Sequence, residues 1–232
     1  MDAILLAAGL GTRLRPHTET TPKPLLPVRG RPILDWTLGA LPRSVDRVIV
    51  VVEYLGQQIA DYLTKQRHVA RTEVVWQGQP RGTGDAVRKC APLLRGGSFL
   101  VLNGDDLFGA ADLEALSRER AGLLVKKVDD PEKWGIAYLK SDGSLDRLVE
   151  KPQGLAGPQL ANAGAYIFPE NVFETELHPS PRGEYEITDY VTAEAKRGKV
   201  IPVPGQFWYP VGNIAAWEAA QNLDLDEVMT RR

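Results

Sequence analysis

The chain has few of the features that mark secreted, membrane or nucleic-acid-binding proteins. Cys90 is the only cysteine in 232 residues, so no intrachain disulfide can form, which fits a reducing cytoplasm. No apolar run approaches the roughly 20 residues that a transmembrane helix needs. Because the first apolar run begins within a few residues of Met1, we expect no signal peptide. A net charge of −2 gives no reason to expect nucleic acid or a membrane as a partner. We therefore expect a soluble, cytoplasmic protein.

The composition is that of an ordinary globular domain. A hydrophobic content of 43% and a charged content of 25% are typical values, and the length allows one core, or one core with a small subdomain. Neither a fixed-period repeat nor a linker rich in Pro, Gly or Ser interrupts the chain. We predict one domain over residues 1–232, with two halves, 1–120 and 121–232, that differ in their patterns.

The first half alternates between strand and helix patterns. Residues 47–52 and 98–102 are nearly all apolar, as in strands covered on both faces, and residues 72–76 form a weaker third strand. Helical patterns lie between these runs, at residues 31–41, 57–65 and 84–94. This alternation predicts the α/β class, with a doubly wound, mostly parallel sheet.

The pattern changes after Ala121. Strand patterns occupy residues 121–128, 134–140, 144–150 and 161–168, and a turn at Asp142-Gly143 joins the second to the third. Helical patterns follow at residues 186–197 and 214–223. The second half therefore predicts an α+β extension that completes the sheet and closes over a ligand.

The most informative segment follows the first apolar run, over residues 5–28. Gly9 and Gly11 come directly after this run, where glycines let exposed N–H groups form a nest for an anion. Arg13 adds a fork of donors suited to phosphate oxygens, and Lys23 adds a compact positive charge. Two glycines alone would more often simply turn the chain.

The residues around Lys23 favour a functional interpretation of this segment. Pro22 and Pro24 restrict the backbone on both sides of Lys23, which fixes its position more than display on a surface requires. About twenty residues without a clear periodic element is also long for a loop between a strand and a helix, and such loops are usually functional. We predict a phosphate-bearing ligand at the carboxyl end of the first strand.

Residues 9–13 read Gly-Leu-Gly-Thr-Arg and residues 22–28 read Pro-Lys-Pro-Leu-Leu-Pro-Val. In this form the segment resembles the N-terminal signature of the sugar-1-phosphate nucleotidylyltransferases, or nucleoside-diphosphate-sugar pyrophosphorylases. It is neither a Walker A loop nor the Gly-x-Gly-x-x-Gly motif of dinucleotide folds. Further elements match the family in order along nearly the whole chain: Gln77 with Gly82-Thr83-Gly84, Leu102-Asn103-Gly104-Asp105, Gly135, Glu150-Lys151-Pro152, Asn162-Ala163-Gly164, and Gly183-Glu184-Tyr185 leading to Thr188-Asp189.

The resemblance implies a Rossmann-like nucleotidyltransferase fold with an α+β sugar-binding extension. Residues 1–120 would form the nucleotide-binding half and residues 121–232 the sugar-binding half. We expect the pyrophosphorylase domain without the left-handed β-helix acyltransferase domain that follows it in some relatives. The implied reaction joins a nucleoside triphosphate to a sugar 1-phosphate and releases pyrophosphate, which needs positioning and charge neutralisation more than covalent catalysis. A homo-oligomer is left open.

Asp105 is the predicted ligand of a magnesium ion. It lies just past the strand at residues 98–102, where open α/β sheets place their ligands. Magnesium takes carboxylate oxygens together with substrate phosphates, and in the family the aspartate of this Gly-Asp element is such a ligand. A Gly-Asp-Asp run alone is usually an Asx turn, but the loop at Gly9 favours the metal role. Asp106 should point elsewhere and is a weaker candidate.

The resemblance assigns roles to further positions. Gln77 and the Gly82-Thr83 turn match the base-reading elements, and an amide side chain offers both the donor and the acceptor that a pyrimidine edge requires. The same turn also starts a helix, and the N-terminus of that helix is able both to begin the helix and to contact the base. The catalytic set is Arg13, Lys23 and Asp105. The nucleotide-binding set is Leu6, Ala7, Ala8, Gly9, Gly11, Thr12, Gln77, Gly82 and Thr83.

On the sugar side, the family pattern falls on four residues. Gly135 would allow close approach of the sugar, and Glu150 and Asn162 would bond its hydroxyls or an acetamido group. Lys151 would hold the sugar phosphate. Without the resemblance, Glu150-Lys151 would be taken for a solvated pair.

The chain departs from the family at one position. Many relatives carry a second metal-binding aspartate in a Trp-x-Asp-x-Gly element, but residues 208–213 here read Trp-Tyr-Pro-Val-Gly-Asn. Proline has no group that binds a metal, so Pro210 cannot replace that aspartate. Either Asn213 substitutes, as an asparagine does in some relatives, or Asp105 and the phosphates hold magnesium with waters.

Together these features predict an enzyme that transfers a uridylyl or thymidylyl group from UTP or dTTP to glucose 1-phosphate or N-acetylglucosamine 1-phosphate. A relative that uses GTP with mannose 1-phosphate, or CTP with phosphocholine, is the alternative among enzymes. Pro210 motivates an alternative of another class, a non-catalytic subunit that senses nucleotide sugars or acts as a scaffold.

Overall fold

Strands and helices alternate through the first part of the computed structural model, which describes residues 1–230. The strands are β1 (Asp2–Ala7), β2 (Pro27–Val28), β3 (Arg31–Pro32), β4 (Arg47–Val52), β5 (Arg71–Trp76), β6 (Ser98–Asn103), β7 (Asp106–Phe108), β8 (Gly122–Val128), β9 (Gly135–Leu139), β10 (Leu145–Glu150), β11 (Gln159–Pro169), β12 (Ile201–Pro204) and β13 (Trp208–Pro210).

The α-helices are short. They are α1 (Ile33–Ala40), α2 (Gly56–Leu63), α3 (Thr83–Cys90), α4 (Ala110–Leu116), α5 (Ile187–Arg197), α6 (Ile214–Ala220) and α7 (Leu225–Met229). Within residues 1–230, no helix is long and apolar enough to cross a membrane.

A mixed sheet runs through the centre of the molecule in the order β10-β9-β11-β6-β1-β4-β5, with β8 paired to β11 and β12 paired to β8. Strands β6, β1, β4 and β5 are parallel, whereas β11 runs antiparallel to β6. The predicted α/β class with a mostly parallel, doubly wound sheet is therefore confirmed. The carboxyl ends of β6, β1, β4 and β5 meet at one edge, where ligands of open α/β sheets bind.

Alternation along each central strand explains why the sheet is covered on both faces. Ala3, Leu5 and Ala7 pack into one hydrophobic cluster together with α1, α2 and α4, while Ile4 packs into a second cluster together with α3 and α5. Because successive side chains of a strand point to opposite faces, an all-apolar run needs cover on each side. The burial of all six residues of β4 satisfies this requirement.

The structure corrects several predicted boundaries. The helix predicted at residues 31–41 begins at Ile33, because Arg31 and Pro32 pair with β2 in a small hairpin. The helix predicted at residues 84–94 ends at Cys90 and continues as a 3₁₀ turn, Ala91–Leu93, since Pro92 has no N–H for an α-helical hydrogen bond.

Other elements were not predicted from the sequence at all. These are β2, β3, β7, β12, β13, α4 and α7. The division into a nucleotide-binding and a sugar-binding half stays a prediction. The last two residues of the second half, Arg231 and Arg232, lie outside the described part of the chain.

A charged cluster closes the edge of the sheet opposite to the ligand edge. Asp2, at the start of β1, is 4% exposed and receives hydrogen bonds from Arg47 at 2.7 Å and from the backbone N–H of Arg95 at 2.9 Å. Burial alone would raise the pKa of Asp2, but the hydrogen bonds from Arg47 and Arg95 outweigh burial and lower its pKa to about 2. The ionised carboxylate therefore stabilises the folded protein.

We expect Asp2→Asn to lower the free energy of unfolding at pH 7 by about 3 kcal/mol, because it leaves the buried Arg47 short of a counter-charge. Since the pKa is depressed by folding, the advantage of the wild type is present above the unfolded pKa of about 4 and disappears as the pH falls toward 2. Urea unfolding at several pH values measures both effects. The matched variant Asp46→Asn, at an exposed carboxylate of the same cluster, should have a much smaller effect. Equal losses from the two variants would contradict this account.

Candidate active site

A tightly folded segment follows β1 and forms one wall of a cleft. Gly11 has a φ of 61°, a left-handed conformation that glycine adopts without strain. A Cβ there would lie 3.0 Å from Thr18 Cγ2 and 3.3 Å from Lys23 Cβ, and the Thr18 hydroxyl donates to the Gly11 carbonyl at 2.8 Å. The segment thus folds back on itself and holds Lys23 against Gly11. It is built from 3₁₀ turns at Thr12–Leu14, His17–Glu19 and Lys23–Leu25.

Two cations from this segment face the cleft, and they differ in burial and in pairing. Lys23 is 7% exposed, and its Nζ donates to Asp105 Oδ2 at 2.6 Å. The Arg13 side chain is exposed, lines the cleft and has no hydrogen-bond or ion-pair partner within residues 1–230. An accessible guanidinium of this kind suits phosphate oxygens.

A close backbone approach places Asp105 opposite these cations. The N–H of Gly104 donates to the carbonyl of Leu6 in β1 at 2.9 Å, and a Cβ on Gly104 would lie only 2.9 Å from the same oxygen. A side chain at this position would push the turn away from β1. Because glycine allows the contact, Asp105 projects beside the segment that follows β1, with 40% of its side chain exposed.

Asp106 points away from the cleft, as its position after Asp105 suggested. It is 7% exposed, and its Oδ2 accepts weak hydrogen bonds from Asn103 Nδ2 and Trp208 Nε1, each at 3.4 Å. Burial, followed by the charge of Asp105, raises the pKa of Asp106 to about 7, although Lys23 and the hydrogen bonds oppose the shift. Through its hydrogen bond with Trp208, Asp106 connects the turn at Asp105 with β13.

The cleft has a volume of about 260 Å³ and unites most of the residues predicted around the signature. It is lined by Leu6, Ala7, Gly9, Leu10, Gly11, Thr12, Arg13, Leu14, Lys23, Pro24, Asp105 and Gly212. The predicted catalytic residues Arg13, Lys23 and Asp105 are thus brought together. Ala8, the base-reading residues, the sugar-side residues and Asn213 do not line it.

The predicted base-reading residues follow β5, at its carboxyl end, and β4 separates β5 from β1 in the sheet. Gln77 is 5% exposed and its Nε2 donates to the Gly82 carbonyl at 3.1 Å. Gly82 has a φ of 106°, and a Cβ there would lie 2.4 Å from the Tyr185 carbonyl oxygen. Thr83 Oγ1 accepts the N–H of Ile187 at 3.0 Å. Two motifs far apart in sequence, at residues 82–84 and 183–185, therefore meet to fix this turn.

The predicted sugar-side residues meet at the base of the β9–β10 hairpin. Gly135 and Glu150 pair directly across the two strands, and a Cβ on Gly135 would lie 3.0 Å from Glu150 Oε2 and 3.9 Å from Asn162 Cβ. Asn162 Nδ2 donates to the Tyr166 hydroxyl at 2.8 Å. Lys151 is exposed, and its backbone N–H donates to the Trp134 carbonyl at 2.9 Å. Three of the four residues, Gly135, Glu150 and Asn162, are thus close neighbours.

The donor chemistry of the cleft fits a magnesium ion that is shared with phosphates. Asp105 is the one carboxylate among the residues that line the cleft, and residues 1–230 hold no group of three or more His, Cys, Asp or Glu arranged for a metal. Magnesium keeps several waters and commonly binds one or two carboxylates together with substrate phosphates. This donor set therefore suits a metal that arrives with the substrate.

The segment that departs from the family pattern packs beside Asp105. Pro210 pairs with Asp106 across β13 and β7, and Gly212 lines the cleft. Asn213 caps α6, where its Oδ1 accepts the N–H of Ala216 at 2.9 Å. The side-chain oxygen of Asn213 thus already has a donor, and its role as a metal ligand stays a prediction.

Sequence reasoning missed several residues of this region. Leu10, Leu14, Pro24 and Gly212 line the cleft, and Leu10 is 53% exposed, an apolar side chain in the turn that is predicted to bind phosphate. Trp208 packs edge-on against Trp134, with ring centroids 4.9 Å apart. The position of Leu10 inside the signature was a usable signal, whereas the Trp208–Trp134 contact depends on pairing between distant segments.

A family model described as Nucleotidyl transferase matches residues 2–227, so the chain belongs to the nucleotidyl transferase family. The chain is 35% identical over 238 residues to the protein called Bifunctional protein GlmU of Methanococcus maripaludis, covering 100% of this chain and 56% of that protein. It is 30% identical to the mannose-1-phosphate guanylyltransferase catalytic subunit beta of Dictyostelium discoideum, over 100% of this chain and 67% of that one. The chain therefore spans about half the length of the curated GlmU relatives that it matches.

Comparison with solved structures agrees with the family. A structure described as a glucose-1-phosphate thymidylyltransferase from Bacillus anthracis, in complex with sucrose, superposes with a TM-score of 0.85 at 27% identity and covers 97% of this chain and 96% of that one. Two of these proteins are described as sugar-1-phosphate nucleotidyltransferases, and their descriptions state different bases and different sugars.

Proposed function

We propose that this protein transfers a nucleotidyl group from a nucleoside triphosphate, UTP or dTTP, to glucose 1-phosphate or N-acetylglucosamine 1-phosphate and releases pyrophosphate. The observation that carries the proposal is the meeting of Arg13, Lys23 and Asp105 in one cleft at the carboxyl end of β1. Two cations and one carboxylate in a glycine-lined cleft suit a triphosphate with its metal. The enclosed amide of Gln77 supports a pyrimidine base.

We assign each of these residues a role in the proposed reaction. An oxygen of the sugar phosphate attacks the α-phosphorus in line, and the bond to the departing pyrophosphate breaks. The backbone N–H groups around Gly9 and Gly11 and the guanidinium of Arg13 neutralise the charge that collects on the leaving group. Lys23, held against Gly11 and paired with Asp105, contributes a second positive charge. Glu150, Lys151 and Asn162 orient the sugar phosphate.

Asp105 would hold the magnesium ion, which screens the negative charges of the two substrates from one another. Proximity supplies much of the remaining rate, since two anions must be held with the reacting atoms about 3 Å apart.

The test is pyrophosphate release across a grid of ATP, GTP, CTP, UTP and dTTP with several sugar 1-phosphates and with phosphocholine, in the presence of magnesium. Turnover with UTP or dTTP and a glucose-type sugar phosphate supports the proposal. Preference for GTP with mannose 1-phosphate, or for CTP with phosphocholine, would replace the stated substrates. Binding of nucleotide sugars without turnover for any pair would support a non-catalytic sensor.

Lys151→Ala is expected to raise the KM for the sugar 1-phosphate about tenfold and to leave the KM for the nucleotide nearly unchanged, because a charge-assisted contact to one phosphate is lost. Lys151 is exposed, and its ion pair with Glu150 spans 3.8 Å, so the fold should tolerate the change. Steady-state kinetics with each substrate varied in turn provides the measurement. Lys133→Ala, at a nearby exposed lysine, is the control. An effect confined to the nucleotide would reverse the division of the site.

Pro210→Asp and Asn213→Ala separate the two accounts of the second metal ligand. If the position is empty because of Pro210, a carboxylate there should lower the magnesium concentration needed for half-maximal activity, since charged oxygens dominate the affinity for hard cations. If Asn213 already fills the position, Asn213→Ala should raise that concentration and Pro210→Asp should not help. Asn213→Ser keeps an uncharged helix cap and controls for the loss of the hydrogen bond to Ala216. Unchanged titrations for all three variants would leave Asp105 as the sole protein ligand.

A further inference from the structure

Two oppositely charged side chains form hydrogen bonds with one peptide group, the one that joins Gln77 to Gly78. The ammonium group of Lys89, from α3, donates to the Gln77 carbonyl oxygen. On the other side of the same peptide, the N–H of Gly78 donates to Glu53 Oε2 at 2.6 Å. Glu53 follows β4 and Lys89 lies near the end of α3, so two separate elements converge on this peptide.

The rest of Gln77 is fixed as well. Its backbone N–H donates to the Val52 carbonyl at 3.0 Å, and its side-chain Nε2 donates to the Gly82 carbonyl at 3.1 Å. Because the carbonyl can accept only from the nitrogen end of the amide, Nε2 is turned toward Gly82 and Oε1 lies at the other end. The order of donor and acceptor that Gln77 offers to a ligand is thereby set before any ligand binds.

Packing alone does not explain the two charged contacts. Gly78 is exposed and has a φ of 70°, and a Cβ on it would meet only Lys89 Nζ within 4 Å, at 3.7 Å. The Gly78 end of the peptide thus lies at the surface beyond the last residue of β5, where water could satisfy its N–H group. Charge-assisted hydrogen bonds at such a place restrict the backbone more strongly than water does.

We propose that Glu53 and Lys89 are positioning residues that set the base selectivity of the nucleotide site by holding the Gln77–Gly78 peptide in place. These two contacts to the peptide are called the clamp below. The proposal rests on the proposed function, in which Gln77 reads the base. A Gln77 whose backbone is free to shift would weaken the hydrogen bond from its Nε2 to the Gly82 carbonyl. Its amide could then turn and offer either a donor or an acceptor to a given base atom, so the site would accept more bases. The clamp makes the wrong order costly, since a mismatched base leaves polar groups unpaired.

Equilibrium binding of UTP, dTTP, CTP, GTP and ATP in the presence of magnesium, measured by calorimetry, tests the clamp without relying on turnover. The variants are Glu53→Ala, which removes the acceptor, and Lys89→Met, which removes the donor but keeps much of the side-chain length. Glu53→Gln retains an acceptor oxygen without the charge and should retain part of the selectivity that Glu53→Ala loses. Lys65→Met, at an exposed lysine that follows α2, is the matched control for charge, and Gln77→Ala gives the selectivity of a site without its base reader.

We expect the ratio between the best-bound and the worst-bound triphosphate to fall about tenfold in Glu53→Ala and in Lys89→Met, the change that corresponds to one charge-assisted hydrogen bond. Glu53→Gln, which keeps an acceptor oxygen but loses its charge, should keep part of the wild-type ratio, and Lys65→Met should keep all of it. The KM for the sugar 1-phosphate should not change in any of the four variants. If Glu53→Ala does not fold, Lys89→Met still measures the clamp.

Wild-type ratios in both Glu53→Ala and Lys89→Met would overturn the clamp while leaving the proposed function intact. A wild-type protein that binds all five triphosphates equally would also overturn it. A wild-type protein that binds none of them would overturn the proposed function itself, and the clamp with it.

Discussion

Asp105→Asn is expected to lower turnover at saturating magnesium by at least about 10³-fold, or roughly 4 kcal/mol of transition-state stabilisation. The substitution keeps the shape of the side chain and one acceptor oxygen but removes the negative charge that attracts a divalent cation. Since the proposed reaction brings two anions together, loss of the metal would leave their repulsion unscreened. Initial rates over a wide range of magnesium concentrations provide the measurement.

Lys23 determines how this result is interpreted. Its Nζ lies 2.6 Å from Asp105 Oδ2, and its side chain is only 8% exposed, so Asp105→Ala would leave a nearly buried cation without its counter-charge and lower stability as well. Asp105→Asn limits this side effect, and the midpoint of thermal unfolding shows how far it does so. Lys23→Met supplies the matched comparison, because it breaks the same pair from the other side while leaving the carboxylate. A folded Asp105→Asn protein with wild-type turnover and an unchanged magnesium titration would remove Asp105 from the metal site.

The part of the fold and site that could be predicted is the part encoded locally. The strand at residues 47–52 was predicted with its observed limits because an all-apolar run of that length suits a strand buried on both faces. The meeting of Arg13, Lys23 and Asp105 could be expected because carboxyl ends of neighbouring parallel strands share an edge of the sheet. Their roles in catalysis stay predictions.

What could not be predicted depends on contacts between segments far apart in sequence. The pairing of β13 with β7 brings Trp208 to Asp106, yet each of these strands has only three residues and too weak a pattern to be recognised. The approach of Gly104 to Leu6 depends on the register between β1 and β6, which no local sequence pattern encodes. The contacts of Glu53 and Lys89 with one peptide are of the same kind, because each charged residue alone is typical of a solvated surface.

Arg13→Ala is expected to lower kcat by about 10² to 10³-fold, the usual cost of removing one preorganised group that meets charge developing in the transition state, and to change the KM for the sugar 1-phosphate little. The guanidinium is exposed in the cleft and has no partner within residues 1–230, so its removal breaks no contact of the ligand-free protein and should leave the unfolding midpoint unchanged. Arg13→Lys should recover only part of the rate, because an ammonium group keeps the charge but loses the planar fork that binds two phosphate oxygens.

Arg15→Ala is the matched control for this prediction, since Arg15 is an exposed arginine of the same segment that does not line the cleft. If attraction of the anionic substrates by general positive charge were the only contribution of Arg13, the two alanine variants would raise KM alike, and higher salt would reduce the difference from the wild type. If Arg13 instead acts on the departing pyrophosphate, only its own variant loses kcat, and the loss persists at high salt because salt screens a direct hydrogen-bonded contact less than a long-range attraction. A kcat for Arg13→Ala equal to that of Arg15→Ala at every salt concentration would exclude Arg13 from the chemical step.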